Sequence, residues 1–221
     1  MRNPIRIIKE AKWQPRIDWE AKYTNDSCTK LLKFMPILAD RIPQGSTVFD
    51  AGCGAGRLTR LIHDTRNPEY VLGMEAAESG IQTAYSLAPY LDYTRGSIVT
   101  DDIPPSPNMG GKWDCIICTS VLEHLYDPKP VVQKLCEAGR QVLLSVPNSV
   151  FLRNRLLYMM GLIPEVGDHV NFWNMRGFRD FLEYCGVGDN VVYHSSVWFT
   201  KWTPFPSLLG RAQIVELRFN Q

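Results

Sequence analysis

Three glycines spaced two apart, an acid two residues ahead of them and a second acid nineteen residues beyond the last form the most specific chemical pattern in this 221-residue chain. The stretch runs Val48-Phe49-Asp50-Ala51-Gly52-Cys53-Gly54-Ala55-Gly56-Arg57, and Leu58-Thr59-Arg60-Leu61-Ile62 then turns helical. Glycines at that density let backbone approach a ligand closely and take φ values that other residues avoid. The N–H groups of the helix start favour a carboxylate or phosphate beside them. Strand, loop and helix in that order predict a nucleotide-type pocket. A dinucleotide fingerprint needs Gly-x-Gly-x-x-Gly, but Arg57 stands at its third glycine position. Asp50 is awkward beside a pyrophosphate and suits a ligand carrying an ammonium group. No Gly-Lys-Ser/Thr follows, which excludes a P-loop. Glu75 ends the run Val71-Leu72-Gly73-Met74, where an acid can accept two hydrogen bonds from a ribose diol.

Two histidines stand where a base is useful. His124 follows the apolar run Trp113–Cys118 within Ser120-Val121-Leu122-Glu123-His124. His169 lies in Asp168-His169-Val170-Asn171-Phe172-Trp173, with Asp168 placed to orient it and Phe172 and Trp173 to wall a pocket. Imidazole titrates near neutrality and is the natural acceptor of a hydroxyl proton. His124 can equally line the cofactor pocket, and His169 can equally be a structural loop residue. His63 and His194 are expected at surface or packing positions. The histidines show no metal-ligand spacing. Cys115 and Cys118 fall on opposite faces of a strand, so they cannot chelate one ion. No metal is expected.

The pattern Asp50-x-Gly52-x-Gly54-x-Gly56 resembles motif I of the class I S-adenosylmethionine (SAM)-dependent methyltransferases. Val121-Leu122-Glu123-His124-Leu125 is similar to the Val-Leu-Glu-His-Leu signature of many small-molecule members. An Asn/Asp-Pro-Pro-Tyr/Phe motif, found in enzymes that methylate base amines or glutamine amides, is missing here. Ser145-Val146-Pro147-Asn148, then the Arg/Leu-rich Phe151–Arg155 and the loop at His169, resembles the group around methionine-biosynthesis protein W. The resemblance is specific over about residues 46–148 and loose beyond. It implies SAM as cofactor, held by Asp50, Gly52, Cys53, Gly54 and Gly56, with Glu75 and Ala76 at the ribose. Ser97 stands where the family often has an acid for the adenine amine, so Ser97 or the Ile98 N–H is expected there. Ser120 and Val121 complete the cofactor side. Trp19, Tyr23, Asp168, Phe172 and Trp173 are the expected acceptor-side residues. O-methylation of a small molecule or sugar is the expected reaction. A non-catalytic SAM-fold partner of a biosynthetic enzyme is the alternative, and a nicotinamide oxidoreductase is disfavoured by Arg57 and Asp50.

Elements must position these groups. Apolar runs at Thr47–Asp50, Tyr70–Met74, Trp113–Cys118 and Val142–Val146 alternate with helical patterns at Leu58–His63, Ser79–Leu87 and Pro130–Cys136. That alternation predicts βαβ units and a parallel sheet covered on both faces. Tyr93–Ile98 adds a strand end. A helix at Met175–Cys185 precedes a terminal antiparallel pair, Val191–Thr200 and Gln213–Phe219. Together these predict a Rossmann-like α/β fold with a seven-stranded, mostly parallel sheet. The chain is read as one domain: 1–45 a helical cap with a helix-like Cys28–Ile42, 46–148 the cofactor core, 149–174 an acceptor-side excursion, and 175–221 the last helix and strands. Phe151–Met160 is expected to pack its apolar stripe on the domain, with a partner or acceptor surface as the alternative. A net charge of +1 gives no case for nucleic acid or an anionic membrane. No apolar run reaches about twenty residues and no secretory signal is evident, so a cytoplasmic protein is expected. A homodimer or a biosynthetic-enzyme partner is compatible with this pattern.

Overall fold

A computed structural model describes residues 20, 23, 30–108, 110–162, 168–197 and 205–219. The described chain forms α1 (Met35–Ala39), β1 (Thr47–Ala51), α2 (Arg57–Arg66), β2 (Tyr70–Glu75), α3 (Glu78–Leu87) and β3 (Asp92–Arg95). It continues with β4 (Trp113–Thr119), α4 (Lys129–Ala138), β5 (Gly139–Pro147), α5 (Leu152–Met159), α6 (Met175–Tyr184), β6 (Val191–Val197), α7 (Pro206–Leu209) and β7 (Ala212–Arg218). One seven-stranded sheet has the order β3-β2-β1-β4-β5-β7-β6. The first five strands in that order pair in parallel, and β7 runs antiparallel to both β5 and β6.

Period-two alternation divides the core. Phe49, Ile116, Cys118, Val142 and Leu144 face the layer containing Val131 and Leu135 of α4 and Phe178 and Leu182 of α6. Val48, Cys115, Ile117 and Leu143 face Leu38 of α1, Leu58 and Ile62 of α2, and Ile81 and Ala84 of α3. Burial of both faces explains why these strands are nearly continuous hydrophobic runs. Cys115 and Cys118 do lie on opposite faces, each fully buried, and burial raises both thiol pKa values far above the usual range.

Two expectations need correction. The helix expected over Cys28–Ile42 is only α1 among the described residues, because Pro36 enters its first turn and restricts the residues ahead of it. Helix α5 does not pack an apolar stripe inward: Asn154 is its one buried residue. Leu152, Leu156, Tyr158 and Met159 are exposed, and Asn154 instead ties the helix to the Ser149 carbonyl. No helix among the described residues is long and apolar enough to cross a membrane.

Candidate active site

The glycine loop leaves β1 at its carboxyl edge, where open α/β sheets place their ligands. Gly52 and Cys53 both donate their N–H to the Met74 carbonyl, which ties the loop to β2. Gly52 has φ +76, and a Cβ there would overlap the Val121 side chain. Only glycine permits both the left-handed backbone and that approach. Val121 thereby links the loop to the segment after β4. Gly54 has φ +57, and a Cβ there would lie 3.1 Å from the Tyr23 hydroxyl.

Asp50 is 1% exposed. One carboxylate oxygen accepts from the Thr59 hydroxyl at 2.7 Å, whereas Oδ1 is buried with no hydrogen-bond partner among the described residues. Burial raises the carboxyl pKa to about 6, the Thr59 bond opposes that rise, and the Glu75 charge adds to it. An unsatisfied buried anion beside a glycine cradle fits the ammonium end of SAM, because a charged partner offsets the desolvation. Glu75 is engaged through both oxygens: Oε2 accepts from Gly54 N–H at 3.0 Å and Oε1 from Ala77 N–H at 3.0 Å. Glu75 therefore braces the loop that it was expected to serve only as a ribose acceptor.

Tyr23, expected on the acceptor side, packs against the glycine loop. Its hydroxyl donates to Glu75 Oε2 at 3.4 Å, and its ring faces Gly54 and Gly80. Glu20, a contact with no sequence signal, accepts from the Glu78 and Ser79 N–H groups at the start of α3, and this fixes the approach of Tyr23. Trp19 lies outside the described residues. Cys53 contributes backbone, while its sulfur turns toward Gly73. Ala76 follows Glu75, and its carbonyl accepts from Arg95. At the next strand end, Ser97 N–H donates to Asp101 at 2.8 Å, and Ile98 is buried in the core. An acid does stand four residues later, where Asp101 folds back over Gly96. Sequence reading missed Asp101 because a turn, rather than the strand end itself, delivers it.

At the carboxyl end of β4, Ser120 adopts φ +54, a conformation that non-glycine residues rarely take. This turn launches the short 3₁₀ segment Leu122–His124. The loop 168–171 packs on it: Val170 and Asn171 N–H both donate to the Glu123 carbonyl, and Asn171 Nδ2 donates to the Leu122 carbonyl. His124 Nδ1 lies 2.9 Å from the Asp168 carbonyl and 3.6 Å from its carboxylate. A carbonyl can only accept, so Nδ1 carries a proton. The His124 and His169 rings meet edge to face with centroids 4.8 Å apart. Sequence offered these histidines as alternatives; the fold makes them one cluster with Asp168 and the buried Glu123. Phe172 is exposed, with its ring 6.3 Å from that of His169. Trp173 is not a wall: it turns inward and packs on Phe178 and Phe181, both at 5.2 Å. His194 is half-buried against Gln213 and Phe178, and burial lowers its pKa.

A separate cleft of about 490 Å³ lies among Ile37, Arg41, Tyr193, Glu216 and Arg218. There Glu216 accepts from Arg41, Arg218 and Gln141, a closed network distant in sequence from the groups above.

A model of the methyltransferase domain family matches residues 21–187. The ubiquinone biosynthesis O-methyltransferase of Pseudomonas paraeruginosa is 28% identical over 63% of this chain and 58% of its own length. The bifunctional methionine biosynthesis protein MetXA/MetW of Rhodopirellula baltica is 26% identical over 72% of this chain and 27% of its own. The chain thus spans little more than half the length of the first relative and about a quarter of the second. Among solved structures, the methyltransferase in a complex with the Haloferax volcanii Trm112 activator has a TM-score of 0.67 at 15% identity, covering 92% of this chain and 98% of that one. A SAM-dependent methyltransferase from Mesorhizobium loti has a TM-score of 0.61 at 16% identity, with 85% and 98% covered. The unsatisfied Asp50, the glycine cradle and a family match over most of the chain agree: this chain belongs to the methyltransferase domain family and has the fold of the class I SAM-dependent methyltransferases.

Proposed function

We propose that this methyltransferase acts on a hydroxyl oxygen of a small molecule or sugar. The observation that carries the reading is the gathering of His124, His169, Asp168 and Glu123 beside the turn that carries Val121, which itself touches the glycine loop. Bound SAM supplies a sulfonium methyl group. The chain's own residues must then hold a hydroxyl in line with it and deal with the proton that the hydroxyl loses. Two adjacent imidazoles, one of them held by the Asp168 carbonyl, suit that proton better than they suit an amine acceptor, which needs no strong base. Asp50 and Glu75 would hold the two polar ends of the cofactor, Asp101 stands near the strand end where its base is expected, and Phe172 would screen the rim from water. The O-methyltransferase name of the Pseudomonas relative points the same way.

Transfer of labelled methyl from SAM to a panel of hydroxylated metabolites, beside their amine and thiol counterparts, tests this. The expected product is a methyl ether. Methylation on nitrogen or sulfur alone would overturn the oxygen assignment. Intact S-adenosylhomocysteine binding with no turnover on any acceptor would favour a non-catalytic partner role.

A further inference from the structure

Glu123, His124 and His169 each place one ligand atom within 4.8 Å of the other two. We propose that this cluster is a divalent cation site, and that the cation rather than a bare imidazole binds and acidifies the acceptor hydroxyl. The inference deepens the oxygen-transfer reading and rests on this rim being the acceptor side.

Spacing is the first support. His169 Nε2 stands 4.0 Å from Glu123 Oε1 and 3.9 Å from Asp168 Oδ1. Both are too long for hydrogen bonds. Donors bound at about 2.0–2.2 Å to one ion stand about 3–4 Å apart, so closure from a spread of 4.8 Å needs side-chain shifts of about 1 Å. Orientation is the second: the Asp168 carbonyl holds the His124 Nδ1–H, the outer contact typical of a ligating imidazole. The donor chemistry is the third. Two imidazoles and a carboxylate suit zinc or another first-row ion better than magnesium or calcium. Glu123 is 1% exposed, and a cation beside it would offset the cost of burying its charge. Both loops are pinned together by backbone bonds to the Glu123 carbonyl, so the donors are held in place. Sequence spacing gave no hint of this site, because its residues come from two loops about 45 residues apart.

In the reaction the acceptor oxygen becomes a further ligand and its proton leaves to solvent. The O–CH₃ bond then forms as the S–CH₃ bond breaks, with the electron pair staying on sulfur.

Calorimetric titration of the metal-free protein with Zn²⁺ and with Mn²⁺, and the absorption spectrum with Co²⁺, test the site directly. One equivalent should bind, with affinity at least tenfold weaker in Glu123→Gln and in His169→Ala. S-adenosylhomocysteine affinity should be unchanged in both variants. The isosteric Glu123→Gln guards against misfolding, checked by circular dichroism. Absence of binding at millimolar metal, or binding indifferent to both substitutions, overturns the cation site. Loss of S-adenosylhomocysteine binding with metal binding intact would instead overturn the cofactor assignment alone.

Discussion

Between Asp50 and Glu75 the chain travels through one βαβ unit, and every group that faces the cofactor loop there lies at or beside a strand end. At the acceptor rim, by contrast, His124 meets Asp168 across 44 residues, and the contact exists only because a loop after β5 folds back onto the turn after β4. The first region is held by neighbouring parallel strands whose register fixes its geometry. The second depends on a few loop hydrogen bonds. Substrate specificity is therefore free to change at the rim while the cofactor cradle stays the same, a division expected when loops vary on a rigid scaffold.

Substitutions that strike the two regions should separate binding from turnover. The largest effect belongs to Gly54→Val, which forces a β-branched residue into the left-handed region and against Tyr23. S-adenosylhomocysteine affinity should fall by more than about a hundredfold by calorimetry, a loss exceeding ~2.7 kcal/mol, with the sheet still visible by circular dichroism. Binding kept within a few-fold would break the cradle assignment. His169→Ala should act oppositely, lowering kcat by on the order of a hundredfold with cofactor affinity unchanged. If only KM for the acceptor rises, His169 lines the pocket and does no chemistry.

Asp50→Asn divides stability from affinity. Burial pushes the Asp50 carboxyl of the folded chain up to about 6, from an ordinary 3.8. Folding therefore favours the protonated form: the penalty is absent below about pH 4, grows as pH rises, and is complete above about 6. Removing the charge should raise the Tm of the ligand-free protein at pH 7.5. Affinity for S-adenosylhomocysteine should fall by on the order of tenfold, through loss of a charge-assisted contact. In the native chain that affinity should itself weaken as pH drops from 7 to 5, and the asparagine variant should lose most of this dependence. A pH-independent affinity in the native chain would remove Asp50 from the ammonium site.

The smallest contrast lies within one loop. Phe172→Ala should raise the acceptor KM several-fold and leave Tm nearly unchanged. Trp173→Ala should lower stability by about 2 kcal/mol through its lost packing on Phe178 and Phe181. Reversal of that pattern would mean that Trp173, and not Phe172, meets the acceptor.

The sequence by itself determined the sheet, because strands buried on both faces must be apolar runs and helices between them must be amphipathic. It also determined Asp50, the glycines and Glu75, whose roles follow from neighbours along the chain and from the strand ends that carry them. Pro36 was the local signal that should have shortened the first helix. Only the tertiary structure decided that Tyr23 packs on the glycine loop, that Asp101 folds back onto Ser97, and that Trp173 points inward. It alone joined Glu123 and His124 to Asp168 and His169. Periodicity specifies which face of an element is buried, whereas the meeting of two loops depends on where the whole sheet carries their ends.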